Sequence, residues 1–188
     1  KSETSIIIVV DASGSTAINR LGEAKGAIEM LLGEGYARRD HVALIAMRGK
    51  QAEVLLPPTR SLVRAKRCLS NLVGGGGTPL AHGLQLADNL SREEEKKGRS
   101  VSLVVLTDGS ANIALDQTAG RQRANEDALA AAGKLAEARV SALIIDVSKL
   151  PSSQARELAT KADGNYLPMP FASAQNISSA ASAGLSAM

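Results

Sequence analysis

The stretch SIIIVVDASGS, residues 5–15, decides the fold of this chain. Ser5–Val10 is an apolar run of strand length, and it ends abruptly in five small residues of which Asp11, Ser13 and Ser15 carry side-chain oxygens. A continuous run rich in β-branched residues predicts a strand buried on both faces, as in a parallel sheet covered by helices. Ligands bind such sheets at the carboxyl edge, so the oxygen-rich turn predicts a site there.

Further apolar runs alternate with segments of helical period along the chain. They are Val42–Met47, a shorter one at Glu53–Leu56, Val101–Leu106 and Ala142–Val147. This alternation predicts an α/β fold with a doubly wound, mostly parallel sheet flanked by helices on both faces. Because the chain has 188 residues, 44% of them hydrophobic, we expect a single domain over residues 1–188.

The segments between the strands carry helix start and stop signals. The first helix is predicted to close at Gly33 and Gly35, and the second to be capped by Ser61. The remaining expected elements are a helix from Pro79 to about Lys97, helices at Thr118–Ala138 and Ser153–Thr160, an extended piece at Asn165–Leu167 and a closing helix from Ala172.

Two more oxygen donors are expected at the carboxyl edge. Asp108 follows the run Val101–Leu106, and the glycine run Gly74–Gly77 delivers Thr78 just before a helix. Oxygen donors with two formal negative charges suit a hard divalent ion, Mg2+ or Mn2+ rather than zinc. The predicted metal ligands are Asp11, Ser13, Ser15, Thr78 and Asp108. Because hydroxyls add no charge, a metal position left open can recruit a carboxylate from a partner.

The order Asp11-x-Ser13-x-Ser15, then Thr78, then Asp108 resembles the metal-ion-dependent adhesion site of von Willebrand A and integrin I domains. In that family the serines and the threonine touch the metal directly, the aspartates often act through water, and an acidic side chain of a partner completes the shell. The resemblance implies the first role for the three hydroxyl residues and the second for the two aspartates.

Other segments resemble, more narrowly, the carboxyl-terminal domain of magnesium chelatase D subunits. They are Tyr36–Ala46, Leu55–Leu62, Gly74–Leu80 and Thr107–Ala114. The resemblance implies a part of the enzyme that inserts Mg2+ into protoporphyrin IX in chlorophyll or bacteriochlorophyll synthesis. It also implies two partners, an AAA+ ATPase subunit and a large porphyrin-binding subunit, and a location in the cytoplasm, or in the plastid stroma of a plant or alga. Since the AAA+-like portion and the acidic, proline-rich linker of that subunit are absent, we expect a fragment of a longer subunit.

Other functions fit the sequence poorly. A haloacid-dehalogenase nucleophile at Asp11 needs a second acid where Ser13 stands, and Gly74–Thr78 lacks the lysine of a nucleotide-binding loop. A net charge of +3 without interleaved aromatics argues against nucleic-acid binding, and Ser5–Val10 is too short to cross a bilayer. A single cysteine, Cys68, excludes an internal disulfide.

Three residues near the expected site are candidate partner contacts. His82 lies one turn into the helix after Thr78, and Arg121 and Arg123 follow Asp108 in what we expect to be a long loop on the site rim. Arg92–Lys97 is expected to be the solvated end of a helix. Two alternatives to a docking role stay open. The site can supply the Mg2+ that is inserted, or the domain can be a generic adhesion module, against which the lack of disulfides and of a secretion signal weighs.

Overall fold

The computed structural model describes residues 3–14 and 17–169. The strands are β1 (Thr4–Asp11), β2 (His41–Arg48), β3 (Gln51–Thr59), β4 (Ser100–Thr107), β5 (Ser141–Asp146) and β6 (Asn165–Pro168). The helices are α1 (Ala17–Arg38), α2 (Leu62–Ser70), α3 (Leu80–Lys96), α4 (Arg121–Glu137) and α5 (Ser153–Lys161). In this described part of the chain, no helix has the length and apolar character needed to cross a membrane. Ser15 and the closing helix predicted from Ala172 lie outside the described residues.

The strands form one six-stranded sheet in the order β3-β2-β1-β4-β5-β6. All neighbouring pairs are parallel except β2 with β3, which is antiparallel. The predicted α/β fold with a mostly parallel sheet is therefore confirmed. The order reverses at β1, the strand that carries the oxygen-rich turn, and such a reversal opens a crevice at the carboxyl edge.

The core consists of two layers on opposite faces of the sheet. Ile7 and Val9 of β1 pack with the buried residues of α3, α4 and α5. Ile6 and Ile8 pack on the other face with the buried residues of α1 and α2. Because β1 is covered on both sides, its side chains from Ile6 to Val10 are all apolar and do not alternate with polar ones.

Helix α1 corrects one prediction, because it passes through Gly33 and Gly35 and ends at Arg38. Gly35 lies against the sheet, where an added Cβ would be 3.4 Å from Ile6 Cδ1. The stop comes from Arg39, which has a positive φ of 65°, and from hydrogen bonds of Arg39 N to Tyr36 O and Asp40 N to Gly35 O. This is a Schellman-type end in which arginine takes the place of the usual glycine.

Two other boundaries differ from the expected ones. Strand β3 is longer than Glu53–Leu56 and contains Pro57 and Pro58, which an edge strand tolerates because no further strand needs their missing N–H groups. Helix α4 begins at Arg121 and not at Thr118. The side chain of Asp116 accepts hydrogen bonds from both the N–H and the hydroxyl of Thr118, and this turn competes with the first helical turn.

The end of α3 also differs from the expected solvated face. The side chain of Glu94 is fully buried and accepts hydrogen bonds from Ser5, from Lys97 Nζ at 2.7 Å and from Arg99 Nη1 at 2.6 Å. Burial raises the pKa of this carboxyl, but the three donors outweigh it and hold the pKa at about 2. The charged carboxylate of Glu94 therefore links the carboxyl end of α3 to the amino ends of β1 and β4.

Candidate metal centre

The two predicted aspartates lie at the carboxyl ends of adjacent strands. Asp11 is the last residue of β1, and Asp108 directly follows β4. Val10 pairs with Leu106 in the parallel register of these strands, so the two carboxylates emerge at the same edge. Strand register alone brings together side chains that are far apart in sequence.

The environment of Asp11 disfavours a bare negative charge. Burial raises the pKa of this carboxyl to about 6, the hydrogen bonds with Ser13 lower it in part, and the nearby charge of Asp108 raises it again. One of these bonds runs from Ser13 N to Asp11 Oδ1 at 3.0 Å. Two repelling carboxylates at a partly buried edge are the electrostatic condition that a bound cation relieves.

Thr78 joins this cluster from the other side. Its side chain is buried, with 5% of the residue exposed, and its Oγ1 donates a 2.7 Å hydrogen bond to Ser13 Oγ. The backbone N–H of Thr78 donates to Asn112 Oδ1 at 2.7 Å. The Thr78 hydroxyl is thus held next to the Ser13 hydroxyl, and both oxygens have lone pairs to offer an ion.

The glycine run explains how Thr78 reaches the end of β1. Gly75 N donates to Ala12 O at 2.7 Å, and Gly14 N donates to Gly76 O at 3.1 Å, so the two loops lie side by side. Gly76 has a φ of 74°, and a Cβ there would be 2.8 Å from Gly49 Cα. Only glycine allows so close a backbone approach in this conformation.

The turn after β4 orients Asp108. Its Oδ1 accepts hydrogen bonds from Ser110 N at 2.9 Å and from Ser110 Oγ at 2.6 Å. Gly109 continues the turn with a φ of 79° and lies directly against the first turn of α5. These two bonds from Ser110 fix the orientation of the Asp108 carboxylate.

These residues fit a hard divalent cation. Asp11, Ser13, Thr78 and Asp108 offer oxygen only, and among the described residues no group of three or more His, Cys, Asp or Glu side chains could hold a metal. Two carboxylates beside two hydroxyls are a donor set that matches Mg2+ or Mn2+. The predicted ligand Ser15 lies outside the described residues.

The three candidate partner contacts have different environments. His82 Nδ1 accepts a 2.9 Å hydrogen bond from Ala52 N, and burial lowers the pKa of this imidazole, so the ring ties α3 to β3. Arg121 and Arg123 are exposed in the first turn of α4, within the helix expected over Thr118–Ala138 and not in the loop that follows Asp108. Arg123 Nη1 lies 3.0 Å from Asp116 Oδ2. Contact of any of the three with a partner stays a prediction.

Sequence reasoning missed several polar residues around the site. Asn112 holds the backbone of Thr78, and Ser110 holds the carboxylate of Asp108. Asp146 ends β5, and Ser152 caps α5. Asp146 had a readable signal, because it ends an apolar run next to β4 as Asp11 does in β1. Ser110 and Asn112 lie in a loop whose path the sequence does not specify.

Comparisons with known proteins agree with this fold. Residues 6–110 match the von Willebrand factor type A domain model. The chain is 50% identical to the magnesium-chelatase 60 kDa subunit of Cereibacter sphaeroides over 94% of its own length and 32% of that subunit. It is 45% identical to the subunit of the same name from Rhodobacter capsulatus, over 99% of the chain and 33% of the relative. The chain thus spans about a third of the length of these curated relatives. The solved SpRpn10 VWA domain superposes with a TM-score of 0.70 at 15% identity, covering 94% of each chain.

Proposed function

Since this chain belongs to the von Willebrand factor type A domain family, we propose that it is a metal-dependent protein-binding domain of a magnesium chelatase subunit. In this role it supports assembly of the complex that inserts Mg2+ into protoporphyrin IX. The chelatase assignment draws on the 50% identity to the 60 kDa subunit of Cereibacter sphaeroides.

One observation carries the metal-binding part of the proposal. The hydroxyl of Thr78 lies 2.7 Å from that of Ser13, beside Asp11. Burial raises the pKa of the Asp11 carboxyl to about 6. We assign Asp11, Ser13, Thr78 and Asp108, together with Ser15, as the residues that hold Mg2+ or Mn2+. When bound, the ion supplies a Lewis-acidic position for an anionic ligand.

The expected docking ligand is a carboxylate of another subunit. The two aspartates balance the charge of a divalent ion without exceeding it, so an additional carboxylate meets no net negative charge and can coordinate an open position on the ion. Ser13 and Ser110 are half-buried at the edge of the sheet, so part of each residue is accessible to solvent. The AAA+ ATPase subunit and the large porphyrin-binding subunit are the proposed partners, with an Asp or Glu side chain entering from outside.

The second candidate function is delivery of the ion that is inserted. Burial raises the pKa of Asp11 in the metal-free protein, so a proton competes with a cation for this carboxyl, and that competition is the feature that favours this role. The two functions differ in when the ion leaves. A donor site exchanges its ion in every catalytic cycle, whereas a docking site retains it and needs it for complex formation even without porphyrin.

Titration of the metal-free protein with Mn2+, followed by calorimetry, tests the ligand set. We expect one ion to bind, and Thr78→Val to weaken binding at least about tenfold, because the substitution keeps the shape but removes one oxygen. Ser91→Ala is the matched control, since Ser91 is a buried hydroxyl in α3 that donates to Ala87 O. If the wild-type protein does not bind Mn2+, or if Thr78→Val binds it equally well, the metal-site assignment is wrong.

A further inference from the structure

The loop that carries Asp108 is connected to a second buried carboxylate one strand away. Asp146 ends β5 and is 1% exposed, and its register partner in β4 is Thr107, the residue before Asp108. Val147 N also donates to Thr107 O at 3.2 Å. Asp146 therefore lies directly behind the turn of Asp108.

Asp146 accepts hydrogen bonds from three different parts of the chain. Its Oδ1 accepts from Ser148 N at 3.0 Å, and its Oδ2 accepts from Ser152 N at 2.7 Å and from Tyr166 Oη at 2.6 Å. Burial raises the pKa of the Tyr166 phenol, and the hydrogen bond to Asp146 raises it further. Tyr166 therefore keeps its proton and remains the donor. A buried carboxylate with this many donors fixes the start of α5 and the middle of β6 at once.

Ser152 connects this group to the candidate metal centre. Its backbone N–H is bound to Asp146, and its Oγ donates to the backbone carbonyl of Asp108 at 2.7 Å. The same hydroxyl accepts from Ala155 N at 3.3 Å as the N-cap of α5. The backbone of Ser152 is thus fixed by Asp146, and its side chain in turn fixes the backbone of Asp108.

Close packing supports the same connection. A Cβ on Gly109 would clash with Ala155 N and Ala155 Cα, so the Asp108–Gly109 turn packs directly against the backbone of α5. A shift of α5 would therefore move the turn that presents Asp108.

We infer that Ser152, held in place by Asp146 and Tyr166, is a positioning residue that sets the position of Asp108 for the cation. This inference rests on the proposed metal-binding function and adds residues that do not touch the ion. Loss of hydrogen bonds behind a metal ligand commonly weakens metal binding by roughly 10- to 100-fold.

Two substitutions at Ser152 separate positioning from general stability. Ser152→Gly removes the donor to Asp108 and is among the substitutions that an N-cap position tolerates best. Ser152→Thr keeps the hydroxyl for both hydrogen bonds. Ser91→Ala, remote in α3, removes a comparable buried hydroxyl that donates to a backbone carbonyl and controls for loss of stability.

The readout is the dissociation constant for Mn2+, measured by calorimetry at neutral pH after circular dichroism has confirmed the fold. We expect Ser152→Gly to bind about tenfold more weakly, and Ser152→Thr and Ser91→Ala to bind within about twofold of wild type. Tyr166→Phe, which removes one bond to Asp146, is expected to weaken binding about threefold, and it carries the test if Ser152→Gly does not fold.

Wild-type affinity in Ser152→Gly overturns the positioning role, and so does equal weakening in Ser152→Thr or Ser91→Ala. In both cases wild-type binding leaves the proposed metal site standing. If the wild-type protein itself binds no Mn2+, the proposed function fails, and the inference fails with it.

Discussion

The hydroxyl groups of Thr78 and Ser13 lie 2.7 Å apart although the two residues are separated by 65 positions in sequence. Ser13 follows the central strand β1, and Thr78 follows the glycine run before α3. Backbone hydrogen bonds between Gly75 and Ala12 and between Gly14 and Gly76 bring the two loops together. The contact thus comes from the backbone paths of two loops, and the side chains need little rearrangement to share a ligand.

We predict that Asp11→Asn stabilises the metal-free protein at neutral pH. The pKa of Asp11 is raised to about 6 from the unfolded value of 3.8. The favourable contribution of the neutral carboxyl is therefore present below about pH 4 and is lost as the pH rises through about 6. Above that pH the charged form destabilises the fold, and the amide removes this cost, by about 1–2 kcal/mol after allowance for partial exposure.

Urea unfolding in EDTA at several values between pH 4 and pH 8 measures this effect. The difference in free energy of unfolding between variant and wild type is expected to grow over the interval and level off above about pH 6. The same substitution should abolish Mn2+ binding. A variant that is less stable than wild type at pH 7 in EDTA would show that Asp11 is not electrostatically strained.

The charged carboxylate of Glu94, unlike that of Asp11, is predicted to stabilise the fold. Its pKa is held at about 2, below the unfolded value of 4.5, so its contribution is present above about pH 4.5 and is lost as the pH falls towards about 2. Removing one partner of a buried ion pair costs about 3–5 kcal/mol, and we expect about 2 kcal/mol for Glu94→Gln because Lys97 and Arg99 are partly exposed.

Glu95→Gln is the matched control, since Glu95 is the next residue of α3 and is exposed. Chemical unfolding at pH 7 should show a large loss of stability for Glu94→Gln only, and the gap should narrow at about pH 3. Equal stability of the two variants at pH 7 would mean that Glu94 is the solvated residue expected from its charged surroundings.

Gly109 and Gly98 form a natural pair for measuring the packing of the Asp108 turn. Their φ angles are 79° and 78°, but a Cβ on Gly98 would meet no atom within 4 Å, whereas on Gly109 it would clash with the backbone of α5. Gly98→Ala should cost about 1 kcal/mol from the left-handed backbone alone. Gly109→Ala should cost about 3 kcal/mol or more, because overpacking adds to the same strain. Thermal unfolding compares the two, and equal costs would contradict the close contact between the turn and α5.

Much of the fold follows from the sequence, because its apolar runs mark the strands. Ile6–Val10 and Val101–Leu106 have no polar interruption beyond Ser102, and such runs predict buried parallel strands regardless of detailed packing. The predicted end of α1 was wrong. Gly33 and Gly35 are residues typical of a helix stop, whereas burial of Gly35 against the sheet extends the helix to Arg38. Tertiary packing outweighed local propensity there.

The candidate site was likewise predicted only in part from the sequence. Asp11 and Asp108 were placed by strand ends, and the structure brings Ser13 and Thr78 beside them. The supporting residues Asn112 and Ser152 were not found, because their roles depend on how the loops after β4 and β5 fold onto each other. Glu94 was misread for a related reason, since its charged neighbours predict a solvated surface unless the burial of the helix end is known.

The most direct test of metal-bridged docking is capture of the purified AAA+ ATPase subunit by this protein without porphyrin. Capture should occur with Mg2+ and be lost in EDTA, in Ser13→Ala and in Asp108→Ala. Each variant should keep its fold, because both residues lie at the rim and not in the core. Glu137→Ala, an exposed acidic residue at the far end of α4, should behave as wild type. Undiminished capture in EDTA and in Asp108→Ala would contradict metal-bridged docking and leave the site to a metal-donor role.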